Sequence, residues 1–190
     1  MKNNYDRMLG PVDKLFLKRH RQWLTSWAYG KTLEIAIGTG LNLRYYPNNV
    51  TLTAVDHSMD MMRYATEKAK DLHMEVDFIH TSAETLPFAD NTFDTVVMTF
   101  LLCGVKDVDE TLNEALRVLK PNGKLLMSNH IRSSSRLIAK LQEGLEKLTV
   151  PKHNEYWTRT PLKNLRNKAE IKQIKTDTIG ILESVYAIKK

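Results

Sequence analysis

Short apolar runs and helical periodicities alternate along the chain, an order that is typical of α/β proteins. Runs of apolar and β-favouring residues predict strands at 33–37, 50–55, 75–80, 95–100, 124–129, 171–176 and 182–188. Apolar residues at helical spacing predict helices at 11–27, 59–72, 107–119 and 136–148, with an irregular connector at 151–161. The pattern predicts one α/β domain over residues 1–190, with a seven-stranded, mostly parallel sheet that has an antiparallel final strand and helices on both faces.

The composition is that of an ordinary globular domain, since 42% of the 190 residues are hydrophobic and 26% are charged. No apolar run approaches the length of a membrane span, and the polar N-terminus lacks the apolar core of a signal peptide, so we expect a cytoplasmic protein. The single cysteine, Cys103, excludes an internal disulfide framework. The histidines are scattered without paired spacing, which indicates no metal site.

The positive charge is concentrated at the two ends of the chain. Residues 1–31 carry a net charge of +5, residues 32–130 carry −6 and residues 131–190 carry +7. Basic flanks can concentrate an anionic partner such as an acidic small molecule, phospholipid head groups or nucleic acid. They can equally well serve only to keep the surface solvated.

The first predicted strand ends in two glycines, Gly38 and Gly40, which let the backbone approach a ligand closely. A dinucleotide-binding turn would have a third glycine at position 43, where this chain has Leu43. Glu34 would repel a diphosphate but would favour a ligand that carries an ammonium and a sulfonium. The turn therefore favours S-adenosylmethionine over a dinucleotide, with a strand–turn–helix that binds no ligand as the alternative.

Asp56 ends the second predicted strand. A carboxylate at this place in an α/β sheet can accept hydrogen bonds from both ribose hydroxyls of a nucleoside. A surface aspartate that caps the next helix is the alternative, although Ser58 already supplies such a cap.

Three segments carry a family resemblance, which covers roughly residues 31–130. Residues 34–40 resemble motif I of the class I S-adenosylmethionine-dependent methyltransferases, with Ala36 where that family usually has its first glycine. Residues 81–94 closely resemble a segment of the ubiquinone- and menaquinone-biosynthesis type, in which the first residues line the adenine pocket; Ser82 replaces the usual aspartate. Residues 114–123 match an element that places the fifth strand.

The resemblance implies a Rossmann-like fold and S-adenosylmethionine as the cofactor. It implies an N-terminal helical cap at 1–31 and a substrate-cap insert at 131–165. The candidate cofactor-binding residues are Glu34, Ala36, Gly38, Thr39, Gly40, Asp56, His57, Ser82, Ala83, Glu84 and Thr99. The candidate acceptor contacts are Tyr5, Cys103, Tyr156 and Arg159.

Methyl transfer from a sulfonium requires an in-line nucleophile more than it requires acid–base groups. If the acceptor must lose a proton, His130 at the end of the fifth strand is the candidate base, and a strand-end histidine without a role is the alternative. Cys103 is predicted to be a small residue that lines the pocket, and a reactive thiolate is the alternative.

The predicted function is methyl transfer from S-adenosylmethionine to a small-molecule or lipid-like acceptor. The alternatives are a regulatory protein of the same fold that binds the cofactor without turnover, and a phospholipid N-methyltransferase at the membrane surface. The apolar stripe of the basic, tryptophan-containing helix 11–27 is predicted to contact the core, and peripheral membrane contact through this helix is the alternative. The sequence contains no recognisable nucleic-acid-binding module.

Overall fold

The computed structural model describes residues 17–190, apart from the side chain of His153. Within this range one sheet contains β1 (Gly30–Ile35), β2 (Val50–Asp56), β3 (Val76–His80), β4 (Phe93–Thr99), β5 (Leu119–His130), β6 (Ala169–Thr176) and β7 (Leu182–Lys189). The strand order is β3-β2-β1-β4-β5-β7-β6. The predicted mostly parallel, seven-stranded sheet is confirmed. The predicted antiparallel final strand is confirmed as β7, which lies between β5 and β6 in the sheet.

The helices flank this sheet. They are α1 (Lys18–Thr25), α2 (Met59–Asp71), α3 (Val108–Val118), α4 (Arg136–His153) and α5 (Pro161–Leu165), with a 3₁₀ turn at Leu43–Tyr45. The predicted helix at 11–27 is described only from Lys18 onward, since residues 11–16 lie outside the described range. α4 extends to His153, past its predicted end at 148. Pro151 does not stop the helix earlier, because it lies in the last turn and removes only one backbone donor there.

Two apolar cores cover the two faces of the sheet and fix the position of its central strands. Leu33 and Ile35 of β1 and Val96 of β4 are fully buried in the core that includes α3 and α5. Ala54 of β2 and Val97 of β4 are fully buried in the core that includes α1 and α2. Since strands buried on both faces cannot shift register without exposing apolar residues, the loops at their carboxyl ends start from fixed positions.

β5 begins earlier than predicted. We expected a turn at Lys120–Gly123 before a strand that starts at Lys124. Instead Leu119 already pairs with Phe93, and Lys124 pairs with Thr95, so that the intervening residues form an irregularity within one strand. Asn122 adopts a positive φ of 61° at this point, a conformation that asparagine tolerates better than most residues.

Helix α1 is attached to the sheet through contacts with β7 and β5. His20 Nδ1 lies 2.8 Å from the Ser184 hydroxyl of β7, and that hydroxyl donates to Ser128 Oγ of β5 at 2.9 Å. The Trp27 ring, just after α1, stacks on Tyr186 of β7 with a centroid distance of 4.9 Å. These contacts hold the helix over the sheet near the carboxyl ends of β4 and β5.

Candidate active site

A cleft lies over the carboxyl ends of β1, β2 and β4, where the strand order changes direction. The turns after β1 and β4 lead to opposite sides of the sheet here, and open α/β sheets bind their ligands at such a point. The cleft comprises two adjoining cavities of about 370 and 530 Å³. His57, Leu101 and Gly104 line both cavities, which we call the first and the second.

The turn after β1 forms the floor of the first cavity. Apart from Gly38 itself and its two chain neighbours, no described residue has an atom within 4 Å of the position that a Cβ on Gly38 would occupy, and this glycine has a φ of +56°. A Cβ on Gly40 would instead lie 2.7 Å from a Leu43 methyl carbon, so that Gly40 is required for packing. Ala36 has a positive φ of 60°, which explains why glycine is usual at this position in the resembled family.

Asp56 connects the turn after β1 to the start of α2. Its Oδ2 accepts the backbone N–H of Gly38 at 2.8 Å, and its Oδ1 accepts the backbone N–H of Ser58 at 2.8 Å. Ser58 then caps α2 by accepting the N–H of Met61. A carboxylate has about four acceptor sites, so Asp56, which lines the first cavity, retains acceptor capacity for a ligand hydroxyl.

Glu34 lies beneath the cavity rather than in its lining. It is only 1% exposed. Its carboxylate accepts the Asn42 amide N–H at 2.6 Å and the Tyr46 hydroxyl at 2.8 Å. Burial raises its pKa to about 7. The expectation that Glu34 faces the ammonium of a cofactor is therefore corrected, because β1 turns this side chain into the interior, where it orders the segment after the turn.

Arg21 of α1 lines the first cavity, although the sequence analysis did not select it. The residue is 7% exposed, and one guanidinium nitrogen donates to Asn42 Oδ1 at 3.0 Å and to Thr99 Oγ1 at 3.4 Å. The guanidinium carbon lies 5.1 Å from the centre of the Phe100 ring. The sequence did contain a signal for Arg21. It follows Leu17 by four residues and precedes Leu24 by three, a spacing that places it on the apolar stripe of the helix.

The structure brings most of the predicted cofactor-binding residues together. Glu34 and Gly40 are the exceptions among the described candidates. Those that line the first cavity are Ala36, Gly38, Thr39, Asp56, His57 and Thr99. Ser82, Ala83 and Glu84 line the second cavity, together with His57. The Ser82 hydroxyl donates to the Glu84 carboxylate, so these two side chains are oriented as a pair.

Cys103 lines neither cavity and is 5% exposed. Its thiol donates to the Phe100 carbonyl at 3.2 Å, and burial raises its pKa to about 12. A thiol with this pKa is almost entirely protonated at neutral pH, so a reactive thiolate is excluded. Its predicted contact with the acceptor is corrected, because the loop after β4 turns the side chain inward.

His130 lies behind the cleft, between the rings of Phe100 and Trp157, with centroid distances of 5.1 and 4.8 Å. Among the described residues its buried Nδ1 has no hydrogen-bond partner. Burial lowers the pKa of the imidazole to about 4. The residue lines neither cavity and would be a weak base at neutral pH, so its predicted catalytic role is corrected.

Tyr156 and Arg159 stabilise the loop after β4, residues 100–106, which we call the cleft loop. Arg159 donates from one nitrogen to the carbonyls of Leu102 at 2.8 Å and Val105 at 2.7 Å, and its guanidinium lies 3.7 Å from the Tyr156 ring centre. The Tyr156 N–H donates to the Cys103 carbonyl at 2.8 Å. Neither residue lines a cavity, so both position the cleft loop. Tyr5 lies outside the described residues.

Comparison with known proteins agrees with this geometry. Residues 33–127, half of the chain, match a family model described as a methyltransferase domain. The chain is 31% identical over 131 residues to a phosphatidylethanolamine N-methyltransferase of Cereibacter sphaeroides, covering 67% of this chain and 64% of that protein. It is 32% identical over 164 residues to the ubiquinone/menaquinone biosynthesis C-methyltransferase of Bartonella bacilliformis, covering 78% and 62%. The chain thus spans less than two thirds of the length of these relatives.

Solved structures confirm the fold. A putative methyltransferase of Bacillus halodurans superimposes with a TM-score of 0.75 at 18% identity, covering 92% of this chain and 98% of that one. A SAM-dependent methyltransferase of Aquifex aeolicus superimposes with a TM-score of 0.72 at 19% identity over the full length of both chains. The chain belongs to the methyltransferase domain family and has the fold of the S-adenosylmethionine-dependent methyltransferases.

Proposed function

We propose that this chain transfers a methyl group from S-adenosylmethionine to a lipid-like small molecule by in-line displacement. The observation that carries the proposal is the cleft at the change in strand direction, where the space beside Gly38 adjoins the carboxylate of Asp56. The names of the relatives, a phosphatidylethanolamine N-methyltransferase and a ubiquinone/menaquinone C-methyltransferase, support a lipid-like acceptor. A cytoplasmic location remains a prediction.

The residues present fit S-adenosylmethionine. The absence of a Cβ at Gly38 leaves space that a side chain would otherwise fill, and the methionine portion would lie there. Asp56 would accept the ribose hydroxyls, and Ser82 with Ala83 would contact the adenine. Arg21 would pair with the methionine carboxylate, since it brings a fixed positive charge to the first cavity.

When bound, the cofactor supplies an electrophilic methyl group on a positively charged sulfur. The chain then has to position the acceptor and exclude water, because alignment of the reacting atoms accounts for most of the rate in such a transfer. Phe100 and Leu101, which line the first cavity at the end of β4, present apolar surface for this purpose. We propose that residues 131–165 form the acceptor-side cap, since their connector holds the cleft loop through Tyr156 and Arg159.

The test combines cofactor titration with turnover. Calorimetric titration of the chain with S-adenosylmethionine and, separately, with NAD should show binding of the first only. Transfer of a radiolabelled methyl group is then measured with phosphatidylethanolamine and with a demethylated quinone as acceptors. Incorporation into either lipid extract supports the proposal. Tight binding of S-adenosylmethionine without transfer to any acceptor of a broad library would support a regulatory protein instead, and absence of binding would overturn both.

A further inference from the structure

Helix α4 exposes a row of leucines. Leu137, Leu141, Leu145 and Leu148 are 78%, 69%, 44% and 65% exposed. Their spacing of four, four and three residues places them on one face of the helix, which we call the leucine face. Isolated exposed leucines are common on protein surfaces, but a contiguous row of them marks an interaction surface.

The opposite face of α4 attaches the helix to the rest of the protein mainly through polar groups. Ala139 is fully buried, and Gln142 is 5% exposed, with its amide oxygen accepting the N–H of Ser133 at 2.8 Å. Glu146 also turns toward the protein, where its carboxylate accepts the N–H of Thr158 at 2.8 Å. The usual amphipathic arrangement is therefore reversed, because the polar side chains face inward and the leucines face outward.

Cations flank the leucine face. Arg136, Lys140 and Lys147 are exposed and follow one another at spacings of four and seven residues, which aligns them along one side of the row. The two acids of the helix do not offset this charge at the surface. Glu143 is paired with Arg132 at 2.8 Å, and Glu146 is turned inward. Apolar side chains beside a line of cations are the pattern of helices that lie in a membrane interface.

We propose that the leucine face docks the protein on the surface of a bilayer that contains anionic phospholipid. No helix among residues 17–190 is long and apolar enough to cross a membrane. Contact at the surface is consistent with that finding, because an interfacial helix buries one face only. The charge complementarity between the cations beside the leucines and acidic head groups selects a lipid surface over a second copy of this basic chain.

This assignment places the membrane contact on a different helix from 11–27, the one that the sequence offered as an alternative site of membrane contact. In the described part of the basic helix 11–27, Leu24 is fully buried, and Trp27 stacks on Tyr186. These side chains are engaged within the protein and are not available to a membrane. The tryptophan and basic residues favoured that helix in sequence, whereas the exposure of α4 is a property of the folded chain.

The position of α4 relates the leucine face to the cleft. At the end of the helix, Asn154 lines the second cavity, and its amide donates to the Gly104 carbonyl at 2.9 Å. Docking through α4 would therefore bring the cleft loop close to the bilayer. The docking proposal is independent of the proposed methyl acceptor, because binding of the protein to lipid vesicles can be measured without turnover.

Vesicle flotation with the whole chain tests the proposal. We expect the protein to bind vesicles of equal parts phosphatidylcholine and phosphatidylglycerol at low salt, to bind less as salt rises, and to bind phosphatidylcholine alone weakly. The double variant Leu137→Ser/Leu141→Ser should lower the affinity for mixed vesicles about tenfold or more, since two leucines lose their burial in the lipid interface. The matched control is Ile174→Ser, which changes an equally apolar residue, 45% exposed, on β6.

Circular dichroism and calorimetric titration with S-adenosylmethionine should give the same results for both variants and the original chain, which separates docking from folding and from the proposed function. Failure of the original chain to float with mixed vesicles at low salt would overturn the proposal, as would equal flotation of the double variant. A dimer in analytical ultracentrifugation that the double variant loses would assign the leucine face to a second copy and would also overturn it.

Discussion

The proposed cofactor side and the proposed acceptor side of the cleft are held in different ways. On the cofactor side, two carboxylates accept hydrogen bonds from nearby parts of the chain: Asp56 accepts the Gly38 backbone N–H, 18 residues away, and Glu34 accepts the Asn42 amide, 8 residues away. On the acceptor side, Arg159 bonds to the backbone carbonyls of Leu102 and Val105, more than fifty residues away. Any residue can supply a backbone carbonyl, so the hydrogen bonds that hold this side of the cleft could not be predicted from the sequence.

Gly38→Val should have the largest effect and would disrupt only the cofactor side. Its side chain would fill the open space beside the turn, and a β-branched residue at a φ of +56° adds backbone strain. We expect S-adenosylmethionine affinity to fall on the order of 100-fold or more, with the sheet intact. Calorimetric titration and circular dichroism measure the two effects.

Gly144→Val is the matched control, since Gly144 lies on α4 with open space around its Cβ position and far from the turn. It should leave cofactor affinity unchanged. If Gly38→Val bound the cofactor as tightly as the Gly144→Val control, the turn would not contact the ligand.

Glu34→Gln tests whether the buried carboxyl beneath the first cavity makes the stability of the protein depend on pH. Because the folded pKa of Glu34, about 7, lies above its ordinary value of 4.5, the folded state binds more protons, and stability falls by about 3 kcal/mol as pH rises between these values. His130, whose pKa is lowered from 6.5 to about 4, has the opposite effect and costs stability as pH falls through that range. The two contributions offset each other between about pH 4.5 and 6.5.

The Glu34→Gln variant removes the first contribution only. Its unfolding free energy, measured by urea denaturation at several pH values, should rise more steeply with pH over this window than that of the original chain. Glu170→Gln, which changes an exposed acid that pairs with Lys172, serves as the control and should follow the original chain. Parallel profiles for Glu34→Gln and the original chain would contradict a buried carboxyl with a raised pKa.

Asp56→Ala should weaken cofactor binding by about 1–3 kcal/mol, because a charged acceptor for the ribose hydroxyls is lost. The Gly38 and Ser58 N–H groups also lose their partner, so the free energy of unfolding should fall as well. Asp60→Ala, on the exposed start of α2, is the control for changing an acid in this region. Unchanged affinity in Asp56→Ala would remove this residue from the cofactor site.

Arg159→Gln should have the smallest effect on the cofactor and would loosen only the acceptor side. Two carbonyls of the cleft loop lose a charged donor, which should lower the stability of the loop by about 2 kcal/mol. We expect turnover to fall several-fold while the dissociation constant of S-adenosylmethionine stays the same. An equal loss in both quantities would show that the two sides of the cleft are not held independently.

The sequence predicted the sheet and most of the cofactor side because strand periodicity and strand-end chemistry are local. For this reason Gly38 and Asp56, both predicted from strand ends, line the same cavity, while their contact with the cofactor stays a prediction. The orientation of Glu34 was not predictable, since it depends on Tyr46 and Asn42 filling the space beneath the turn. The inward positions of Cys103 and His130 depend on how the loop after β4 packs, which involves residues far apart in the chain.

The attachment of α1 to β7 has a consequence for the order of folding during synthesis. Arg21, which lines the first cavity, belongs to a helix whose His20 is bonded to Ser184, a separation of 164 residues. A ribosome releases α1 long before it makes β7, so the helix cannot reach these contacts until β7 has emerged. The methyl donor would then find a complete site only after β7 has been made, and it would stabilise the assembled sheet rather than assist the earlier steps of folding.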